Sequence, residues 1–161
     1  LGYFLTPATV CLAIPLYKQL ELLRQHLIAV ASAIVAGVAG SVGSIYVMCR
    51  FFQLEHTHYV TLLPKSITTA IGMGVSEEAG GIVTLTVISI IITGILGNII
   101  ADWLFQIFKI EEPMALGTAA HAIGTAKALE LGEIEGAMSS LSIAVAGLLT
   151  VVVVPLMSGL I

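Results

Sequence analysis

Residues 79–101 read AGGIVTLTVISIIITGILGNIIA, 23 consecutive positions without Asp, Glu, Lys or Arg. A helix needs roughly 20 apolar residues to cross the hydrocarbon core of a bilayer. Two further uncharged runs flank this one at a distance, Gln25–Cys49 with 25 residues and Gly136–Ile161 with 26. A 25-residue helix is roughly 37 Å long at 1.5 Å per residue, enough to cross with some tilt. The rest of the composition agrees. Hydrophobic residues make up 58% of the 161, charged residues 10%, and mean hydropathy is +1.07. A water-soluble domain carries roughly 25% charged residues. Six Lys and Arg against ten Asp and Glu give no basic face for a nucleic acid. The apolar residues come in long runs and not in alternation, which excludes a β-barrel. The fold class is an all-α integral membrane protein, a polytopic bundle in one domain, 1–161, with three clear spans.

Three other uncharged stretches are too short or too interrupted to span. Leu1–Tyr17 contains Pro7 and Pro15. Residues 66–76 read SITTAIGMGVS and residues 113–126 read PMALGTAAHAIGTA. Gly, Ala, Ser and Thr are wasted on lipid. They suit backbone packed inside protein or lining a wet cavity, where a helix can break. These stretches are expected to be discontinuous or re-entrant helices, the competing reading being ordinary surface loops. Spacing supports the former. Pro7 and Pro64, Ala36-Gly37 and Thr93-Gly94, and Gly40 and Gly97 are each 57 residues apart. Ala122-Ile123-Gly124 follows Ala70-Ile71-Gly72 by 52, and Gly147 follows Gly94 by 53. Each unit then holds one broken segment and one span, and successive units are inverted, as in many secondary transporters. Chance recurrence of Gly and Ala in so biased a composition is the competing account. Lys18, Arg24 and Lys109 fit this orientation and Arg50 opposes it. Cys11 and Cys49 sit in apolar context and read as packing residues. Leu1 is not Met and opens inside an apolar stretch, so a preceding segment is expected.

The broken segments carry the candidate chemistry. Lys65, Ser66, Thr68 and Thr69 follow Pro64, and Glu77 and Glu78 close that segment. Thr118, His121, Thr125 and Lys127 occupy the other. At the offset of 52, Thr69 matches His121, so the two segments are expected to bring a hydroxyl and an imidazole together. Free amides at a broken helix start favour an anion, and a lysine adds a cation. The set suits a small carboxylate better than a metal. His121 is ionisable in an uncharged stretch at membrane depth, which makes it the first candidate for substrate binding or proton coupling. A packed histidine bonded to a carbonyl is the alternative. Glu77 and Glu78 are candidates for proton relay or for pairing with Lys65, or else form a solvated turn. His26, His56 and His58 are expected near span ends or in the polar 53–58 connector, and Glu130, Glu133 and Glu135 in a wet loop. No hydrolytic triad, zinc-protease or phosphate-loop pattern is present in the sequence, so neither an enzyme nor a cofactor is expected.

The runs PATVCLAIPLYKQ (7–19), LPKSITT (63–69), VSEEAGG (75–81), TGILG (93–97) and LGTAAHAIGTAKALELGEIEGAMSS (116–140) resemble the LrgB/CidB family of membrane proteins. The resemblance covers almost the whole chain. Three departures stand out. The family usually has further hydrophobic spans before the first run, a few more residues including an arginine between Pro113 and Gly117, and proline where Ala70 stands. The resemblance implies one of two functions. One is a carrier of small monocarboxylates such as glycolate, glycerate or pyruvate, without cofactor. The other is an antiholin-like regulator of murein hydrolase activity and lysis, working with a small LrgA/CidA-type membrane protein. It further implies a homo-oligomer in the bilayer, in a bacterial cytoplasmic (inner) membrane rather than a plastid envelope. Broken polar segments arranged in repeats favour the carrier.

Overall fold

The computed structural model describes residue 17 and residues 27–108 and 114–161. Most of the first broken stretch, with Pro7 and Cys11, lies outside the described residues. So do Lys18, Arg24, His26, Lys109 and Pro113. The described part is all helical and holds α1 (Leu27–Phe51), α2 (His56–Leu62), α3 (Thr69–Glu78), α4 (Val83–Phe108), α5 (Met114–Leu131) and α6 (Glu133–Ser158).

The three uncharged intervals become α1, α4 and α6, each long and apolar enough to cross a membrane. α4 is rich in Ile, Val and Thr, residues that favour strands in water. Lipid overrides that preference, because only a helix satisfies every backbone group within one segment. α4 turns Leu85, Ile88, Ile92, Ile95 and Ile99 outward, as lipid requires. α1 does the opposite with one stripe. Val30, Ile34, Val38, Val42, Ile45 and Cys49 recur every three or four positions and are buried against Tyr59, Val60, Ala146 and Val154.

Directions follow from contacts at the ends. The Tyr59 ring, just past the end of α1, packs edge-on against Tyr46, and its hydroxyl donates to Met157 O near the end of α6 at 3.1 Å. Thr61, two residues on, meets Thr86 at the start of α4, whose hydroxyl donates to Thr61 O at 2.9 Å. So α1 and α6 end where α4 begins, and the three spans alternate in direction. That is the inversion that odd-crossing units require.

The segments between spans differ from expectation at their edges. His56 and His58 are exposed, yet they stand in a helix, α2, and not in a connector. Glu130, Glu133 and Glu135 do not form a loop. Gly132 alone separates α5 from α6. Glu133 and Glu135 occupy the first turn of α6, where the helix dipole favours acidic groups. Exposed Glu130 lies 3.6 Å from half-buried Lys127 one turn back.

Candidate functional site

Two hairpins enter the bundle from opposite ends. The first is α2, a link of residues 63–68, and α3. Pro64 cannot continue a helix, and its link is folded by short turns, with Lys65 N bonding Leu62 O at 3.1 Å and Ile67 N bonding Pro64 O at 3.4 Å. Three buried hydroxyls fasten its two arms to α4. Thr61 Oγ1 accepts the Ile82 amide at 2.8 Å, and Thr86 Oγ1 lies 2.7 Å from Ser76 Oγ. Both arms therefore reach the same end of the bundle, where α4 starts. This is a re-entrant hairpin.

The second hairpin is α5. Its backbone leaves the helical region at Ala120 (φ −125°, ψ 15°) and His121 (φ 44°, ψ −136°). Past the break the chain runs back beside the start of α6. There Thr125 Oγ1 lies 2.7 Å from Ser139 Oγ, and Leu129 covers Gly136. Its tip rests on α4 through close approaches that only glycine permits. A β-carbon at Gly97 would fall 2.6 Å from Ala120 Cβ, and one at Gly94 would fall 2.8 Å from His121 Nε2.

The two tips meet between α1 and α6. A crevice there is lined by Ser41 of α1, Ser66 of the first tip, Thr118 of the second and Thr150 of α6, with Val38, Leu63, Ile67 and Ala146 as apolar wall. Ser41 Oγ and Ser66 Oγ are 2.7 Å apart, and Lys65 Nζ reaches Ser66 Oγ at 3.4 Å. Thr150 gives its proton to Ala146 O at 2.7 Å, so its oxygen keeps lone pairs to accept with. The crevice holds about 10 Å3, room for roughly one water. In this conformation it is closed to anything larger.

The candidate residues are thus divided. Ser66 and Thr118 line one crevice, and Lys65 stands beside it through Ser66. Thr68 and Thr69 are half-buried at the start of α3, and the crevice is not lined by them. Thr125 is buried against Ser139, away from the tip. Glu77 and Glu78 are exposed at the end of α3, and no ion pair joins them to Lys65 among the described residues. His121 is 4% exposed and one turn past Thr118, yet its Nε2 turns to Ile90 O of α4 at 2.8 Å. A carbonyl only accepts, so Nε2–H is the donor. No hydrogen bond joins His121 to Thr69 among the described residues; the residues of the two hairpins that line the crevice together are Ser66 and Thr118. Two lining residues escaped the sequence reading. Ser41 and Thr150 are single hydroxyls inside apolar spans, and such residues commonly bond their own helix backbone, as Thr150 does.

Relatives match this chain over nearly its full length. An antiholin-like protein LrgB of Bacillus mycoides is 38% identical over 160 residues, covering 97% of this chain and 70% of the relative. Proteins of the same name from Bacillus cereus and Bacillus anthracis are each 37% identical over the same shares. No solved structure matches. The LrgB-like family profile matches residues 1–160, and with these identities it establishes that the chain belongs to the LrgB-like family.

Proposed function

We propose that this chain forms a carrier for small monocarboxylates of the glycolate, glycerate or pyruvate type. The observation that carries this reading is the meeting of two oppositely directed hairpin tips at a buried hydroxyl crevice beside Lys65. Interrupted helices at membrane depth leave backbone groups to be satisfied, and they persist where they are packed in protein or line a path. Ser41, Ser66 and Thr118 supply hydroxyls to a carboxylate, and Thr150, whose proton goes to Ala146 O, can accept from a substrate hydroxyl. Lys65 supplies the charge, and α3 starts just beyond the tip with its amide end inward. Alternating spans allow one unit to move against the other around this point. A carboxylate is larger than the one water the crevice has room for, so loading requires the crevice to widen.

A second reading rests on the relatives' printed name. An antiholin-like regulator would act by assembly, with a small LrgA-type membrane protein or a second copy, through outward span faces. The name favours this reading and the hairpin geometry favours the carrier. The proposed location is the bacterial cytoplasmic membrane, since the compared relatives come from Bacillus.

Lys65→Gln and the pair Ser66→Ala with Thr118→Val separate the two. Hydrogen bonds to a charged ligand are each worth about 1.5–3 kcal/mol, so each variant is expected to lower substrate uptake roughly tenfold or more, with insertion unchanged. Uptake at the parental rate in both would refute the site.

A further inference from the structure

His121 bears on the crevice without lining it. We infer that His121 is a latch, a positioning residue that pins the tip of the second hairpin to α4 and so keeps the crevice shut. Three features of the tip point to this. Its backbone at φ 44° and ψ −136° is a conformation that residues with a β-carbon rarely adopt, and one that persists only where surroundings hold it. The imidazole ties it to α4 through one buried hydrogen bond from Nε2 to Ile90 O at 2.8 Å, beside the seating of Ala120 on Gly97. The face of α4 is notched for that ring, because a β-carbon at Gly94 would lie 2.8 Å from both Cε1 and Nε2.

The latch reaches the crevice through the short stretch that ends at the break. Thr118 lies three residues before His121, lines the crevice and seats against α1, where a β-carbon at Gly37 would fall 2.5 Å from Thr118 Cγ2. Peeling the tip from α4 draws Thr118 away from Gly37 and uncovers Ser66. Release exchanges the Ile90 carbonyl for another acceptor or for water, and the strained backbone relaxes with it. The role of this latch in transport rests on the carrier reading. The closure itself does not.

The test is access of a membrane-impermeant methanethiosulfonate to Ser66→Cys in the full chain in liposomes, with Cys11 and Cys49 replaced by alanine. Four proteins are compared: this parent, and the parent with His121→Ala, His121→Gln or Gly94→Ala. Modification is expected to be slow in the parent. Loss of one buried hydrogen bond should speed it roughly tenfold in His121→Ala. Gly94→Ala keeps the histidine but crowds both its ring and Ile123 of the same tip, so it should open the crevice likewise and carries the test if His121→Ala does not fold. Glutamine offers an N–H donor at similar reach and should restore the slow rate, which a packing role alone would not predict. Equal rates in the parent and Gly94→Ala, or a glutamine variant as fast as alanine, would overturn the latch. Faster modification together with no uptake by the native protein would keep the latch and remove the carrier reading.

Discussion

At Gly37 a β-carbon would sit 2.5 Å from Thr118 Cγ2, whereas at Gly40, one turn on, it would meet nothing within 4 Å. The two glycines share one helix, Gly37 half-buried against Thr118 and Gly40 exposed, so they separate the contact from helix propensity. Gly37→Ala forces the second hairpin off α1 and is expected to cost about 1–3 kcal/mol. Gly40→Ala is expected to be neutral or to stabilise by up to about 1 kcal/mol, from the better helix propensity of alanine. Thermal unfolding in detergent checks this, with the melting temperature of Gly37→Ala below that of Gly40→Ala. An equal response would mean that the tip is not seated on α1. These glycines marked the repeat in the sequence, but spacing alone did not tell contact from open space: Gly94 and Gly97 both meet the second hairpin, whereas of the matching pair in α1 only Gly37 does. The break at His121 was not legible. Alanine and histidine carry no turn signal, and the conformation is imposed by the contact with Ile90 O and the notch at Gly94.

At the scale of elements, absence of charge located the three spans to within a few residues, because a desolvated charge is the costliest thing to place in lipid. Their partners were half legible. The second arm of the first hairpin, SITTAIGMGVS, and the stretch holding the second tip, PMALGTAAHAIGTA, stood out by small and hydroxylated residues. The first arm of the first hairpin did not, because HTHYVTL is polar enough to pass for a connector, though it places Tyr59, Val60 and Thr61 in the core. The hairpin assignment has a consequence for sidedness. Glu55 and Glu78 flank the first hairpin and Glu130 ends the second. With Cys11 and Cys49 replaced, single cysteines at 55 and 78 are expected to react with an impermeant thiol reagent from one face, and a cysteine at 130 from the other. If α2 to α3 crossed the membrane instead, 55 and 78 would label from opposite faces.

The whole molecule places a lipid-facing shell around a polar seam. Outward faces of α1, α4 and α6 carry Val35, Ile92, Ile95, Leu148 and Val152. Inside, the hydroxyls of Ser41, Ser66, Thr118 and Thr150 line one crevice contributed by four different elements. The candidate site was legible where residues cluster in sequence, as Lys65 and Ser66 do. It was illegible where single residues converge from distant spans, which only the packing of α1 against α6 decides. The carrier reading rests on this seam. The most direct measurement is uptake of labelled glycolate, glycerate and pyruvate by proteoliposomes holding the native protein, against empty liposomes. The carrier account predicts saturable uptake of at least one of them, competed by the unlabelled acid. Folded, correctly inserted protein that moves none of the three faster than empty liposomes would contradict it.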